Sequence, residues 1–288
     1  IVARLDSLFE RTRRAREELS HLPRLIENYK KAILEAAFRG ELTTEWRESK
    51  GLASSEEVAL RDVADGFSYG SSSKSSPTGK IPVLRMGNIQ NMALDWSDLV
   101  YTSNDQEIAK YSLVSGDVLF NRTNSPELVG KTALYRGERP AIYAGYLIRI
   151  RCGSRLLPTY LNYCLNSPMG RTYCWRVKTD GVSQSNINAK KLAAFPFLLP
   201  SFEEQEEIVK RIEEALAWLN TVDTEQGQAA HLLDHLDQAN LAKAFRGELV
   251  PQDPDDEPAS VLLERIRETR TAPAARKRRR PARSESLA

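Results

Sequence analysis

The chain has 288 residues, 41% of them apolar, with 41 Lys and Arg against 39 Asp and Glu, a composition that builds one or two domains with ordinary cores and excludes a disordered chain. No stretch is apolar and long enough to span a membrane, and the first residues lack the pattern of a signal peptide. Cys152, Cys164 and Cys174 form neither a CxxC pair nor an even disulfide framework, which fits a reducing cytoplasm and argues against bound metal.

Residues 1–42 read as one long helix. Leu5, Leu8, Thr12, Ala15, Leu19, Leu22, Ile26, Tyr29, Ile33 and Ala36 follow alternating steps of three and four, the seam of a heptad pattern. Pro23 inside that run predicts a kink or a break, and Gly40 stands where a left-handed C-cap falls. Positions 43–59 read as a linker.

Between residues 60 and 200 the pattern changes to short strands rich in Val, Ile, Leu and Tyr, over Ile81 to Met86, Gly116 to Phe120, Thr132 to Tyr135 and Ala141 to Arg151, separated by Gly, Pro, Asn and Asp turns. Pro158 to Asn166 reads as a short helix, and Asn188 to Ala194 as another behind an Asn cap. This is an α+β domain. The stretch Ser68 to Gly79, with Lys74 inside it and Lys80 after it, reads as a loop whose hydroxyls suit phosphate oxygens, or equally as a bare linker. Val129-Gly130-Lys131-Thr132 imitates the end of a phosphate-binding loop, but Ser125 stands where the first glycine belongs, so it carries little weight.

A second helix spans residues 201–249, opened by Ser201 with Glu204 three residues on, a capping-box pattern. Ile212, Ala215, Leu219, Val222, Gln226, Ala229, Leu233, Leu236 and Asn240 form its seam, in which the two polar members weaken packing and can set register. The helix repeats the first one. Residue 1 aligns with residue 208 without a gap, through Leu25/Leu232 and Leu34/Leu241 to Ala-Phe-Arg-Gly-Glu-Leu at Ala37 to Leu42 and at Ala244 to Leu249. Heptads alone describe any structural coiled coil, whereas an ungapped repeat bracketing a separate domain points to a scaffold that presents it. Phe38 and Phe245 are expected to be buried equivalently where the helices end. Residues 250–288 close with the run Arg276 to Arg280, which reads as a basic, disordered tail.

Charge is segregated along the chain. Residues 60–200 hold 17 Lys and Arg against 10 Asp and Glu, while residues 201–268 hold 6 against 17. A basic globular domain attracts a phosphate backbone and an acidic helix does not, so the middle domain is the candidate nucleic-acid surface and the helices face protein. The candidate DNA contacts are Lys74, Arg85, Asn88, Arg122, Asn124, Lys131, Gln184, Asn186 and Lys190. Arg and Asn make bidentate contacts to base edges, whereas Lys and hydroxyls more often meet phosphates. For Asn88 and Asn188 a turn or cap role weighs at least as much. Tyr69 to Ser73, Arg176 to Thr179 and Tyr143 to Tyr146, where the motifs end, are candidate base-reading segments, and aromatics there are candidate contacts to thymine methyls or core residues. The candidate partner contacts are Phe38, Arg39, Glu204, Glu207, Phe245 and Arg246.

The runs YGSSSKSSPTGKIPVLRMGNIQ (Tyr69 to Gln90), GDVLFNRTNSPELVGKTALY (Gly116 to Tyr135), SQSNINAKKL (Ser183 to Leu192), FPFLLPSFEEQEEIV (Phe195 to Val209) and AFRGELVPQDPDDEPASVLLERI (Ala244 to Ile266) resemble the specificity subunit of type I restriction-modification systems. The family's plan is two target-recognition domains, separated and followed by two shared helical regions in pseudo-symmetric, antiparallel arrangement. Against that plan the chain holds the central helix (1–42), one target-recognition domain (60–200) and the distal helix (201–249). Ile1 begins at the repeat unit without a methionine, so a preceding recognition domain is expected, or else a natively half-size subunit that self-associates.

The resemblance implies a cytoplasmic, non-catalytic subunit. Its recognition domain would read one half of a bipartite target in double-stranded DNA, and its helices would set the gap and dock methyltransferase subunits. S-adenosylmethionine and ATP would sit on the methyltransferase and restriction partners, with no cofactor on this chain. In agreement, the chain lacks an Asn-Pro-Pro-Tyr-type methyltransferase signature and a glycine-rich cofactor loop. The other classes compatible with these residues are a coiled-coil DNA-binding scaffold and a fragment of a self-contained restriction or modification enzyme.

Overall fold

The computed structural model describes residues 1–251, 255 and 257–271. They form two compact units, one of residues 19–228 and one of residues 1–18 with those from Ala229 onward. Short strands alternate with helices α1 (Val2–Phe38), α2 (Thr44–Lys50), α3 (Asp105–Tyr111), α4 (Pro158–Asn166), α5 (Pro168–Val177), α6 (Ala189–Ala193), α7 (Phe202–Phe245) and α8 (Ala259–Thr271). Among the described residues no helix is long and apolar enough to cross a membrane. The basic run Arg276 to Arg280 lies outside the described residues.

The heptad seam is where α1 loses solvent. Leu5, Leu8, Thr12, Ala15, Leu19, Leu22, Ile26, Ile33 and Ala36 are buried or half-buried while most positions between them are exposed. The expected seam fails at Tyr29, which is 49% exposed, and at Leu236 on α7, which is 46% exposed. Within the larger unit α1 and α7 run antiparallel. Gln226 Nε2 donates to the Leu19 carbonyl at 3.5 Å, and Tyr29 packs edge-on against Trp218 with centroids 6.0 Å apart. In the smaller unit Thr12 donates to Asp237 at 2.8 Å, and Arg16 bridges Asp234 at 2.9 Å and Asp237 at 2.7 Å.

Of the kink or break expected at Pro23, the break does not occur, for α1 continues through it. Proline has no N–H for the carbonyl four residues earlier, which here is Leu19. The Gln226 amide supplies the missing donor. Leu19 and Gln226 are also equivalent positions of the repeat. The copies therefore meet at a self-equivalent point, and the polar seam residue there has a defined partner. Both copies end alike, with Gly40 at φ 78° and Gly247 at φ 74°. Glu41 N donates to Ala36 O, and Glu248 N to Lys243 O, each at 2.9 Å, closing matching Schellman-type caps.

The middle domain is built on a four-stranded antiparallel sheet, in the order Ala64–Tyr69, Leu147–Cys152, Val118–Asn121, Thr132–Leu134. Val118–Asn121 is buried at every position because the sheet is covered on both faces. Val118, Phe120, Ile148 and Ile150 face one apolar cluster, and Leu119, Leu147 and Ala133 face the other, as the two-residue strand period requires. Ile81–Leu84 lies between Ile142–Tyr143 and Val100–Thr102 in a second sheet. A third, small sheet aligns Thr179–Asp180, Ser185–Asn186 and Thr123–Asn124.

Three expectations are corrected here. The segment 43–59 is not a bare linker, since it holds α2 and the strand Glu56–Ala59, which pairs with Pro196–Leu199. Glu204 is not on an exposed acidic face but fully buried, accepting from Thr43 Oγ1 at 2.6 Å and from Arg47 at 2.8 Å. Ser201 still caps α7 through the Glu204 N–H at 3.3 Å. The Glu204 side chain instead joins α2 to α7, so the reciprocal half of a capping box is replaced by a tertiary contact. Finally, Phe38 and Phe245 are not equivalent in packing. Phe38 is 3% exposed, with its ring edge-on to Tyr160 at 5.1 Å, whereas Phe245 is 90% exposed.

Candidate nucleic-acid interface

Arg122 stands where the central strand ends and the chain enters the small sheet. Its NH1 donates to the Gly145 carbonyl and its NH2 to Asn186 Oδ1, each at 3.3 Å. The guanidinium carbon lies 4.8 Å from the centre of the Tyr69 ring. Tyr69 is held in turn, its hydroxyl accepting from Ala189 N at 2.9 Å, and Asn186 Nδ2 donates to Thr123 Oγ1 at 2.7 Å. Arg122 Nε is buried with no partner. A guanidinium has five donors in a planar fork, so this one is oriented by the protein and keeps donors for a ligand.

The fork lines a cleft of about 540 Å³ together with Ser71, Ser72, Ser73, Lys74, Arg85 and Tyr146. The serine loop is pinned by backbone bonds, Ser71 N to Tyr143 O at 2.9 Å and Gly145 N to Ser71 O at 2.6 Å, and Ser71 Oγ donates to Glu107. Gly70 allows this approach, since a Cβ there would lie 2.3 Å from Tyr143 O. Arg85, paired to Asp98 at 3.0 Å, also lines a second cleft of about 370 Å³ with Gln90, Asn124, Leu128 and Lys131. Burial, and then the neighbouring Arg171 charge, lower the pKa of Lys131, whose Nζ donates to Gln90 at 3.4 Å. Cations and hydroxyls converging on a concave surface suit phosphate oxygens, and the Arg and Asn forks suit base edges.

The structure thus gathers Lys74, Arg85, Arg122, Asn124, Lys131 and Asn186 around these clefts. Gln184 is exposed beside Val182 in the turn between Thr179–Asp180 and Ser185–Asn186, and Lys190 is exposed on α6. Asn88 is corrected. It is 2% exposed, accepts from Arg85 N at 2.8 Å and donates to the carbonyls of Asp95 and Asp98 at 3.0 and 2.8 Å. It is a turn-former that orients Arg85 without meeting a ligand itself. Asn188 caps α6 through Lys191 N. The Val129 to Thr132 segment holds no phosphate cradle. Gly130 is buried, its N–H donates to Asn121 O at 2.8 Å, and Arg171 donates to Val129 O at 2.8 Å.

Residue reading missed Gln90, Leu128 and Val182. Val182 is fully exposed at the hairpin tip, and its only sequence signal is an apolar residue after Gly181 in a polar turn. The remaining partner candidates are tied within the chain. Glu207 pairs with Arg211 at 2.7 Å, Arg39 with Glu35 at 2.5 Å and Arg246 with Glu248 at 3.0 Å. Of these, Arg39 and Arg246 are exposed while Glu207 is mostly buried.

Residues 54–228 match the family model described as "Type I restriction modification DNA specificity domain". The chain is 30% identical over 291 residues to the type I restriction enzyme EcoKI specificity subunit of Escherichia coli, covering 96% of this chain and 63% of that protein. It is 29% identical over 290 residues to the StySPI specificity subunit of Salmonella potsdam, with the same coverage. The crystal structure of the HsdS subunit from Thermoanaerobacter tengcongensis shares the fold with a TM-score of 0.58 at 22% identity, over 86% of this chain and 57% of that one. The type I restriction-modification S subunit from M. genitalium does so with a TM-score of 0.51 at 14% identity, over 86% and 59%. The chain spans less than two thirds of the length of each of these relatives.

Proposed function

The chain belongs to the type I restriction-modification DNA specificity family, and from that premise we propose that it is a non-catalytic specificity subunit whose middle domain reads one half of a bipartite DNA target. The oriented Arg122 fork in a cleft of serines, Lys74 and Arg85 carries this reading. Phosphate contacts there supply affinity, and Tyr146 in the first cleft and Val182 and Gln184, exposed on the turn before Ser185, stand as base-contacting candidates. The relatives named above are specificity subunits, so methylation and cleavage would come from partner subunits carrying S-adenosylmethionine and ATP, in the cytoplasm.

The helices are proposed to dock methyltransferase subunits and to set the spacing between half-sites. Leu25 and Tyr29 on α1, and their repeat equivalents Leu232 and Leu236 on α7, are all exposed. Matching apolar strips on two copies suit two copies of one partner. The exposed Phe245 supports a second recognition domain as the reader of the other half-site, because Phe38 in the same motif is covered by such a domain. In a half-size subunit that second domain would be contributed by self-association.

The test is selection from randomised duplex DNA, at fixed salt because phosphate contacts alone give nonspecific affinity, by the chain co-purified with its methyltransferase. Enrichment of one short motif supports a single reading domain, and an inverted repeat supports self-association. Stable co-purification without any enrichment would overturn the reading in favour of a scaffold.

A further inference from the structure

His231 and His235 sit at positions i and i+4 of α7, which places their side chains on one face, one turn apart. Both are exposed. Their rings meet edge to face with centroids 4.5 Å apart, and the two Nε2 atoms face each other at 3.1 Å. Between neutral imidazoles this is one hydrogen bond, with one nitrogen donating and the other accepting.

The separation matches a chelate. With each nitrogen about 2.1 Å from a metal ion, the 3.1 Å gap subtends an N–metal–N angle of about 95°, near the roughly 90° of adjacent ligands in an octahedral site. We propose that His231 and His235 form a bidentate site for a divalent transition metal of imidazole preference, zinc, nickel or copper, with water in the remaining positions.

Three surroundings favour this. Asp234 and Asp237, one and two residues from His235, set two carboxylates against the single guanidinium of Arg16, with Thr12 donating to Asp237, so they are already engaged and do not compete as ligands. Among the described residues no group of three or more His, Cys, Asp or Glu is placed to hold a metal, so no closed site competes. The cysteines do not compete as thiolates either, since burial raises the Cys152 pKa to about 12 and the Cys174 pKa to about 11, and raises Cys164 as well. The third histidine, His21, lies alone on α1. Metal binding would tie adjacent turns of α7 and stabilise that segment by mass action.

The experiment is calorimetric titration of the full chain with nickel chloride at neutral pH in a non-coordinating buffer, with magnesium as the control cation. The expected result is one saturable equivalent of nickel and none of magnesium. His231→Ala and His235→Ala should each weaken binding by about 100-fold or more, because the second ligand acts at high effective concentration, while His21→Ala leaves it unchanged. Both rings are exposed and Ala favours helix more than His, so the variants fold, as far-ultraviolet circular dichroism would verify. Absence of saturable nickel binding, or binding that survives both alanine variants, overturns the proposal.

Discussion

Arg122 touches Tyr69, Gly145 and Asn186 at once, so its orientation is spent on position and its free donors on charge. We expect Arg122→Ala to weaken binding to target and unrelated duplexes alike and to reduce the salt slope by about one, measured by titrations across a salt series. Relaxed preference at one base pair, by about 1–3 kcal/mol, would instead make Arg122 a base reader. Arg122→Lys should recover part of the affinity, since charge survives while the planar fork is lost. Gly70 matters through space. A Cβ would lie 2.3 Å from Tyr143 O and 2.4 Å from Ala144 O, so Gly70→Ala should cost about 1–3 kcal/mol as overpacking, seen as a lowered unfolding midpoint. The two asparagines show what residue type can tell. Asn188 precedes a helical run and its cap was legible, whereas the role of Asn88 depends on Asp95 and Asp98 carbonyls that only the folded turn delivers.

At the scale of elements the repeat supplies two controlled comparisons. Gln226 replaces the helix donor that Pro23 lacks, a bond worth about 0.5–1.5 kcal/mol. Gln226→Ala should therefore destabilise the chain with Pro23 in place and much less in a Pro23→Ala background, where the backbone bond to Leu19 is restored. A double-mutant cycle by urea unfolding measures the difference, and additive effects would break the link. Phe38 and Phe245 provide the second comparison. Phe38→Ala should cost about 3–5 kcal/mol as a buried aromatic truncation, and Phe245→Ala in the isolated chain less than about 0.5 kcal/mol. Heptad spacing revealed the helices because their period is local. It could not reveal that one motif end is covered and the other open, since the cover is Tyr160, far away in sequence.

For the whole molecule, the matched strips at Leu25/Tyr29 and Leu232/Leu236 make partner stoichiometry the informative quantity. If the proposed docking of two methyltransferases holds, Leu232→Asp with Leu236→Asp should reduce the stoichiometry from two per chain to roughly one, as read by light scattering of the purified complex, with DNA preference of the middle domain retained. Unchanged stoichiometry would place docking elsewhere on the helices. The sequence by itself determined the two repeated helices, the α+β class of the domain between them, its basic charge and the family to which it belongs. Each of these is written in spacing, composition or contiguous motif, and none requires two distant residues to meet. Only the tertiary structure decided that Glu204 is buried against Arg47, that Asn88 builds a turn, that Phe245 is open and that Arg85 and Arg122 line one cleft. Those outcomes depend on which side chains approach across long loops, and burial and convergence are properties of the packed chain that no local pattern encodes.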